Sequence, residues 1–229
     1  MSTSIAALGE LALIERLRRR VGTPPAHVEI GIGDDAAVVV GEPGSVTVLT
    51  TDALVEGVHF RRDWTSARAV GHKALAVNLS DLAAMGAAPR ASLLSLALPG
   101  SFPLDDFDAL LDGYASLADA AGAALIGGNM AASPGPVVVN VTAVGAVRRR
   151  RVLRRHTARP GHELYVTGTM GAAAAAMGRA PASMTTPTPL ASARARAVAA
   201  RPSDTSIAAA AAPVRPTIHP SRQRASGCS

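Results

Sequence analysis

The sequence predicts a domain of the α/β or α+β class, with a mixed, largely antiparallel sheet covered on one face by helices. Segments rich in β-branched and apolar residues, typical of strands, alternate with longer segments whose apolar residues recur at helical spacing. The predicted strands are VTVLTT at 46–51, SLLSLAL at 92–98 and VVVNVTAVGAV at 137–147. This alternation continues over roughly 150 residues, a usual size for one domain.

Three helices are predicted around these strands. The first opens the chain with one apolar stripe, formed by Leu11, Leu13, Ile14 and Leu17. Residues 67–85 and 104–121 are predicted to be amphipathic helices that cover the sheet. The second of these is expected to end at Gly122, because glycine adopts the left-handed conformation that terminates helices. Trp64, which precedes the 67–85 helix, is interpreted as a packing residue.

Charge and composition divide the chain into two predicted parts, residues 1–178 and residues 179–229. The first part contains 16 Lys and Arg and 16 Asp and Glu, whereas the second contains seven Arg against Asp204 alone. A balanced domain argues against a specific nucleic-acid-binding face. The second part consists mainly of Ala, Pro, Ser, Thr and Arg, so we expect it to be disordered. Because such residues are common in frameshifted GC-rich genes, we hypothesise that it is an out-of-frame tail.

No feature of the sequence predicts a membrane or secreted protein. No run of about 18 apolar residues occurs, and the charges of the first twenty residues are interleaved with the apolar ones, unlike those of a signal peptide. The single cysteine, Cys228, cannot form an internal disulfide. We therefore expect a cytoplasmic protein.

Polar motifs that could bind metal and phosphate recur along the first part of the chain. They are GIGDD at 31–35, TTD at 50–52, NLSD at 78–81 and GGN at 127–129. Clustered carboxylates repel one another unless a cation lies between them, and oxygen ligands of this kind suit Mg²⁺. Glycines allow backbone N–H groups to approach a phosphate closely. Each motif alone is more often a turn or a helix cap.

The complete series of motifs resembles a known family. GIGDDAAVV, TTDALVEGVHF, KALAVNLSDLAAMGAAPRASLLSLALP, LIGGNMA and RPGHELYVTGTMGAAAAA together resemble the N-terminal domain of thiamine-monophosphate kinases, within the superfamily of aminoimidazole-ribotide synthetase. The resemblance covers nearly all of residues 9–178. It implies an ATP- and Mg²⁺-dependent enzyme that transfers the γ-phosphoryl group of ATP to thiamine monophosphate, and it implies a homodimer.

The resemblance also implies roles for individual residues. The implied Mg²⁺ ligands are Asp35, Thr50, Thr51, Asp52, Asp81 and Asn129. Gly128, Asn129 and Arg155 would contact ATP, and His59 would contact thiamine monophosphate. No covalent nucleophile is implied. The role of Asp34 is left open.

Two of these roles have simpler alternatives. His59 could be a hydrogen-bonded structural side chain. Arg155 belongs to a group of six arginines between positions 148 and 155, most of which we expect to be solvated, and the spacing does not single out one of them.

The second half of the family pattern is not found in this chain. Family members continue with an SDG motif and a GGEDYE motif, and neither occurs after Gly178. We therefore expect impaired activity. The alternatives are an inactive fragment that retains nucleotide binding or dimerisation, and another ATP-dependent synthetase of the same superfamily.

Overall fold

The computed structural model describes residues 4–157 and 159–160, together with the side chains of these residues except that of Arg155. The helices are α1 (Glu10–Val21), α2 (Ala67–Ala84) and α3 (Leu104–Ala121). The strands are β1 (Val28–Ile30), β2 (Val38–Val39), β3 (Ser45–Val55), β4 (Ala88–Leu98), β5 (Ala124–Ala132) and β6 (Val138–Arg148). The predictions for residues 179–229 lie outside the described residues.

The fold is built on a mixed four-stranded sheet with the order β3-β6-β4-β5. Strands β3 and β4 both pair antiparallel with β6, whereas β5 pairs parallel with β4. Helices α2 and α3 lie together on one face of this sheet, and β1 and β2 form a separate small antiparallel sheet. The predicted class is therefore confirmed. None of the helices in the described part of the chain is long and apolar enough to cross a membrane.

The side chains on the helix-covered face form the core. Val139, Val141 and Ala143 of β6 alternate with half-buried residues along the strand and are completely buried. Phe107 and Leu110 of α3 belong to the same hydrophobic cluster as Val139 and Val141. Because alternate residues of a strand point to opposite faces, the intervening residues of β6 lie on the other face, which we call the open face.

Helices α2 and α3 approach each other at two glycines. A Cβ atom added to Gly71 would lie 1.9 Å from the carbonyl oxygen of Leu110, and one added to Gly113 would lie 1.9 Å from that of Arg68. The backbones therefore meet at distances that no other residue permits at these two positions. This contact fixes where α2 lies above the sheet, and α2 carries Asp81.

The local sequence explains how α2 and α3 begin and end. Ser66 caps α2 by accepting a hydrogen bond at its side chain from the backbone N–H of Ala69, at 3.3 Å. Asp105 and Asp106 lie in the first turn of α3, where a carboxylate interacts favourably with the helix dipole. Gly122 follows α3 in the left-handed conformation (φ 68°), as the sequence predicts.

Helix α1 packs by one face only. Leu13 and Leu17 are buried, whereas Leu11, which the sequence places on the apolar stripe, is 83% exposed. That part of the prediction is wrong, because at about 3.6 residues per turn Leu11 lies on the side of α1 away from Leu13 and Leu17. Arg16 and Arg20 form ion pairs with Asp108 of α3, and these pairs attach α1 to α3.

Candidate active site

Strand β3 presents the TTD motif to both faces of the sheet. The sequence places this motif at the end of a strand, but β3 continues to Val55. Residues 50–52 therefore lie within the strand, and their side chains alternate between faces. Thr50 and Asp52 point to the face that α2 covers, while Thr51 points to the open face.

A carboxylate cluster lies between β3 and α2. The Thr50 hydroxyl donates a hydrogen bond to Asp81 Oδ2 at 2.9 Å. Burial raises the pKa of the Asp52 carboxyl group, and the negative charge of Asp81 raises it further, while His59 lowers it. Asp52, Asp81 and His59 are thus close enough to interact electrostatically, although Asp52 lies in β3, His59 in the β3–α2 connection and Asp81 in the last turn of α2.

The electrostatics of this cluster favour a bound cation. Two carboxylates that are partly shielded from water and repel each other are stabilised when a positive ion lies between them. The three oxygen-bearing side chains of Thr50, Asp52 and Asp81 are hard ligands of the type that Mg²⁺ prefers. The residues present therefore fit the ion that the sequence implies. Within the described residues, no group of three or more His, Cys, Asp or Glu side chains has the arrangement of a complete metal site.

His59 lies in a tight turn that follows β3. Its ring Nδ1 accepts a hydrogen bond from the backbone N–H of Val55 at 3.1 Å. Its backbone carbonyl accepts a hydrogen bond from the ammonium group of Lys73, at 2.6 Å. The side chain is exposed, so the ring is fixed on one edge and open to solvent on the other.

A row of polar side chains crosses the open face. Thr142 of β6 donates a hydrogen bond to the hydroxyl of Thr51 at 3.0 Å, and Thr51 donates to the carbonyl of Val141 at 3.1 Å. The strand register then places Asn140 beside Ser95 of β4, and Ser95 beside Asn129 of β5. Thr51 and Asn129, on opposite edges of the sheet, are therefore joined by polar residues.

Gly128 occupies a position that requires glycine. Its φ is 155°, and a Cβ atom there would lie 1.8 Å from the carbonyl oxygen of Leu94. The pairing of β4 with β5 shifts register between Ser92 and Leu93, immediately before this point. The GGN motif therefore combines a bulged, closely packed backbone with the exposed side chain of Asn129.

The GIGDD motif lies opposite Asn129 across a cleft of about 1150 Å³. The backbone N–H of Asp35 donates to Asp34 Oδ1 at 2.8 Å, and Asp35 itself is exposed. The cleft runs between the open face, the β1–β2 hairpin and α1. Its lining includes Asp34, Asp35, Gly128, Asn129, Asn140 and Thr142.

The structure divides the sequence-derived site into two groups. Asp35, Gly128 and Asn129 line the cleft, whereas Thr50, Asp52 and Asp81 do not. Thr51 lies on the open face, in contact with the cleft residue Thr142. The sequence leads us to expect that Asp35, Asp52, Asp81 and Asn129 surround one cavity. In the described residues, Asp52 and Asp81 interact electrostatically on the side of α2. Asp35 and Asn129 line a cleft on the other side of the sheet.

The side chain of Arg155 is outside the described residues, and its backbone begins a single helical turn, Arg155–Thr157. Three other residues near the site, Ser95, Asn140 and Lys73, are not predicted from the sequence. Ser95 and Asn140 lie within predicted strands and carry no motif, so nothing in the sequence marks them. Lys73 had one available signal, since it is the single lysine of the chain.

Comparison with known proteins identifies related sequences. The family described as "AIR synthase related protein, N-terminal domain" matches residues 33–147. A thiamine-monophosphate kinase of Bacillus subtilis (strain 168) is 38% identical over 152 residues, which are 66% of this chain and 47% of that protein. One of Mycobacterium tuberculosis (strain H37Rv) is 41% identical over 174 residues, 76% of this chain and 51% of that protein. The chain thus spans about half the length of these curated relatives.

Solved structures agree with the fold. The crystal structure of thiamine-monophosphate kinase from Stenotrophomonas maltophilia K279a is 46% identical, covers 65% of this chain and 45% of its own, and has a TM-score of 0.56. A hydrogenase maturation protein HypE, solved in complex with ATP, is 20% identical over 62% of this chain and 41% of its own, with a TM-score of 0.53. At that identity the second likeness shows the fold alone.

Proposed function

Because the chain belongs to the AIR synthase related family through its N-terminal domain, we propose that it acts in the transfer of the γ-phosphoryl group of ATP to thiamine monophosphate, giving thiamine diphosphate and ADP. Two observations support this proposal. The relatives of highest similarity described above are thiamine-monophosphate kinases. The single structural observation that carries it is the meeting of Asp52 and Asp81 beside Thr50, an arrangement suited to a cation that binds phosphate.

The proposed Mg²⁺ ligands lie on both sides of β3, so they would hold separate ions. Thr50, Asp52 and Asp81 would hold an ion on the side of α2. Asp35, Thr51 and Asn129 would supply ligands to an ion on the side of the cleft. When bound, Mg²⁺ neutralises phosphate charge and orients the phosphoryl group for in-line transfer.

The nucleotide is proposed to bind in the cleft. Gly128 brings the backbone of β5 within reach of a phosphate, since it has no side chain and lies at a bulge. The amide of Asn129 is exposed at the same wall and can donate to a phosphate oxygen. Arg155 is proposed to contact ATP from the segment that follows β6. These residues bind and orient, and none of them forms a covalent bond with the nucleotide.

His59 is proposed to bind the phosphate of thiamine monophosphate. The ring is open to solvent on the edge that Val55 does not hold, and it lies near Asp52. A substrate phosphate held there would be adjacent to the proposed metal ligands. In phosphoryl transfer, positioning and charge neutralisation supply most of the rate acceleration, so no nucleophilic side chain is required.

Three further features belong to the proposal. The protein acts as a homodimer, in which the open face with the exposed side chain of Leu49 contacts a second copy. It is located in the cytoplasm, where its proposed co-substrate ATP is made. It does not act on nucleic acid, since residues 1–178 carry no net charge.

A second candidate function follows from the length of the match. The relatives contain about as much chain again outside the matched region, and contacts made there would contribute to the reaction. A polypeptide of these 229 residues is then a nucleotide-binding domain with little or no turnover. Loss of several transition-state contacts, each worth about 2 to 4 kcal/mol, would remove most catalysis.

The test is ADP release by the purified chain, measured with Mg²⁺ in the presence and absence of thiamine monophosphate. The proposed kinase releases ADP faster when thiamine monophosphate is added, and Asp81→Asn abolishes the increase while Asp119→Asn, on the exposed surface of α3, does not. Mg²⁺-dependent nucleotide binding without stimulated release supports the second candidate. Absence of both binding and release contradicts both functions.

A further inference from the structure

The turn after β3 is held at its base by Val137, the residue that precedes β6. The backbone N–H of Glu56 donates to the carbonyl of Val137 at 2.9 Å, and the Glu56 carboxylate accepts from the N–H of Val137 at 3.1 Å. The N–H groups of Val58 and His59 both bond to the carbonyl of Val55, at 3.1 and 2.8 Å. The base of the turn is therefore fixed without any contribution from α2.

The tip of the turn is held by a different group. Lys73 of α2 donates from its ammonium group to the carbonyl of His59 at 2.6 Å. Lys73 precedes Asp81 by eight residues on the same helix, about 12 Å along the axis. This bond therefore connects His59 to the helix that positions Asp81.

The hydrogen bonds of His59 define its tautomer. A backbone N–H is a donor only, so the Nδ1 atom that accepts from Val55 at 3.1 Å carries no proton. The neutral ring must then carry its proton on Nε2, which makes the solvent-facing edge of His59 a hydrogen-bond donor. A donor is the group that an anionic phosphate oxygen requires.

We propose that Lys73 is a positioning residue that holds the tip of the turn so that His59 keeps Nδ1 on the Val55 N–H and presents its Nε2–H to a phosphate-bearing ligand. The part of this inference that concerns the ligand rests on the proposed function, whereas the part that concerns the tautomer does not. Lys73 itself does not touch the ligand. The compact ammonium group suits this task, because it can donate to a single carbonyl at the end of a flexible stem.

The experiment compares the tautomer of His59 in the parent chain, Lys73→Met and Lys73→Arg. Chains labelled with ¹⁵N-histidine give long-range ¹H–¹⁵N spectra that distinguish the two tautomers, and His59→Gln identifies the signal of His59. We expect the Nε2–H tautomer in the parent, a mixture of tautomers in Lys73→Met, and recovery in Lys73→Arg, which can still donate to the carbonyl. An unchanged His59 signal in folded Lys73→Met overturns the proposal.

A second measurement does not depend on the folding of a variant. Lys73 is the single lysine, so its side-chain ¹⁵N signal is unambiguous in the parent chain. A hydrogen-bonded ammonium group exchanges its protons with water more slowly than free lysine. Exchange at the rate of free lysine shows that the bond to His59 is not formed and overturns the proposal.

Ligand binding separates this inference from the proposed function. Calorimetry with thiamine monophosphate, Mg²⁺ and a non-hydrolysable ATP analogue should show an affinity for thiamine monophosphate that falls about three- to tenfold in Lys73→Met and recovers in Lys73→Arg. Affinity for the nucleotide should not change. If the parent chain binds no thiamine monophosphate, the proposed function fails while the tautomer result still decides the role of Lys73. An equal loss of affinity for thiamine monophosphate and for the nucleotide would contradict the proposal that Lys73 acts through His59.

Discussion

The carboxyl group of Asp52 has a raised pKa because it is partly buried and because Asp81 lies close to it. A group whose pKa is higher in the folded chain than in the unfolded chain stabilises the fold only below its unfolded pKa, and this stability is lost as the pH rises through the folded pKa. At neutral pH the ionised carboxylate therefore destabilises the fold. Binding of a cation would reverse that effect.

Replacement of Asp52 should separate stability from metal binding. In the presence of a chelator at neutral pH, we expect Asp52→Asn to raise the free energy of unfolding by about 0.5 to 1 kcal/mol, because it removes the cost of burying the charge and the repulsion from Asp81. Mg²⁺ should stabilise the parent through linkage and leave the variant unchanged. Urea denaturation with and without Mg²⁺ measures both effects. The same gain in Asp119→Asn would indicate a general charge effect instead.

Gly128 allows a second prediction at the scale of one residue. The Gly128→Ala variant should lose at least about 2 to 3 kcal/mol of stability, since its Cβ atom would meet the Leu94 carbonyl and the backbone conformation disfavours a side chain. Thermal unfolding measures the loss. Gly135→Ala is the matched control, because its Cβ atom has no heavy atom within 4 Å. Equal melting temperatures for the two variants would contradict the close approach of β5 to β4.

At the scale of elements, α1 depends on charge as well as on its apolar face. Only Leu13 and Leu17 of this helix are buried, and its outer side is held to α3 through Asp108. The hydrogen bond and the charge of Arg16 lower the pKa of the Asp108 carboxyl group against the opposing effect of burial. Because α1 also forms one wall of the cleft, the ion pairs support the proposed nucleotide site.

Asp108→Asn should weaken this attachment in a pH-dependent way. A group with a lowered folded pKa stabilises the fold above its unfolded pKa, about 3.9 for Asp, and this stability is lost as the pH falls through the folded pKa. We therefore expect the variant to be less stable than the parent by about 1 kcal/mol at neutral pH, and the difference to disappear in acid. Urea denaturation across this pH range measures it. A difference that does not depend on pH would show that lost packing, not charge, is responsible.

The elements that the sequence predicts well are those with a strong pattern. The helices at 67–84 and 104–121 and the strands β4 and β6 have long apolar repeats, and all four are found. Strand β5 was not predicted, because its centre is Gly127, Gly128 and Asn129, which individually favour turns. Its position comes from pairing with β4, a tertiary contact that no local pattern contains.

Two exposed apolar residues also show that a local sequence pattern does not predict tertiary contacts. Trp64 was expected to pack, but it is 56% exposed, and the guanidinium of Arg61 lies 4.4 Å from its ring centre. Leu11 is also exposed, because it lies on the side of α1 away from the buried Leu13 and Leu17. Apolar character alone does not show which side of an element its neighbours cover.

At the scale of the whole molecule, the sheet separates the residues that the motifs place in one site. The series of motifs predicts one site, whereas in the described residues Asp35 and Asn129 line the cleft and Asp52 and Asp81 lie on the side of α2. The motifs alone could not predict on which side of the sheet each residue lies, because Thr50, Thr51 and Asp52 are consecutive residues of a strand and alternate between its two faces. A one-residue difference in the register of β3 would exchange Thr50 and Asp52 with Thr51 between the two faces.

The open face provides the final prediction, which concerns assembly. Leu49 lies at the centre of β3 on this face and is 67% exposed, in a strand where Val46 and Val48 point toward α2 and are half-buried. A single exposed leucine does not by itself indicate an interface, but the proposed homodimer would bury this side chain if the open face is the contact surface. In a symmetric dimer the same residue is buried twice, at about 1.5 to 3 kcal/mol for each side chain.

Leu49→Asp should therefore dissociate the proposed dimer. Loss of two buried leucines and burial of two charges would weaken association by at least about 100-fold, so sedimentation analysis should find a dimer for the parent and a monomer for the variant at the same concentration. Ala120→Asp, which adds the same charge on the exposed side of α3, should remain dimeric. Circular dichroism checks that both variants keep their secondary structure, since Leu49 contributes little to the core. A parent chain that is monomeric at all concentrations, or a Leu49→Asp variant that remains dimeric, would show that the open face is not the interface.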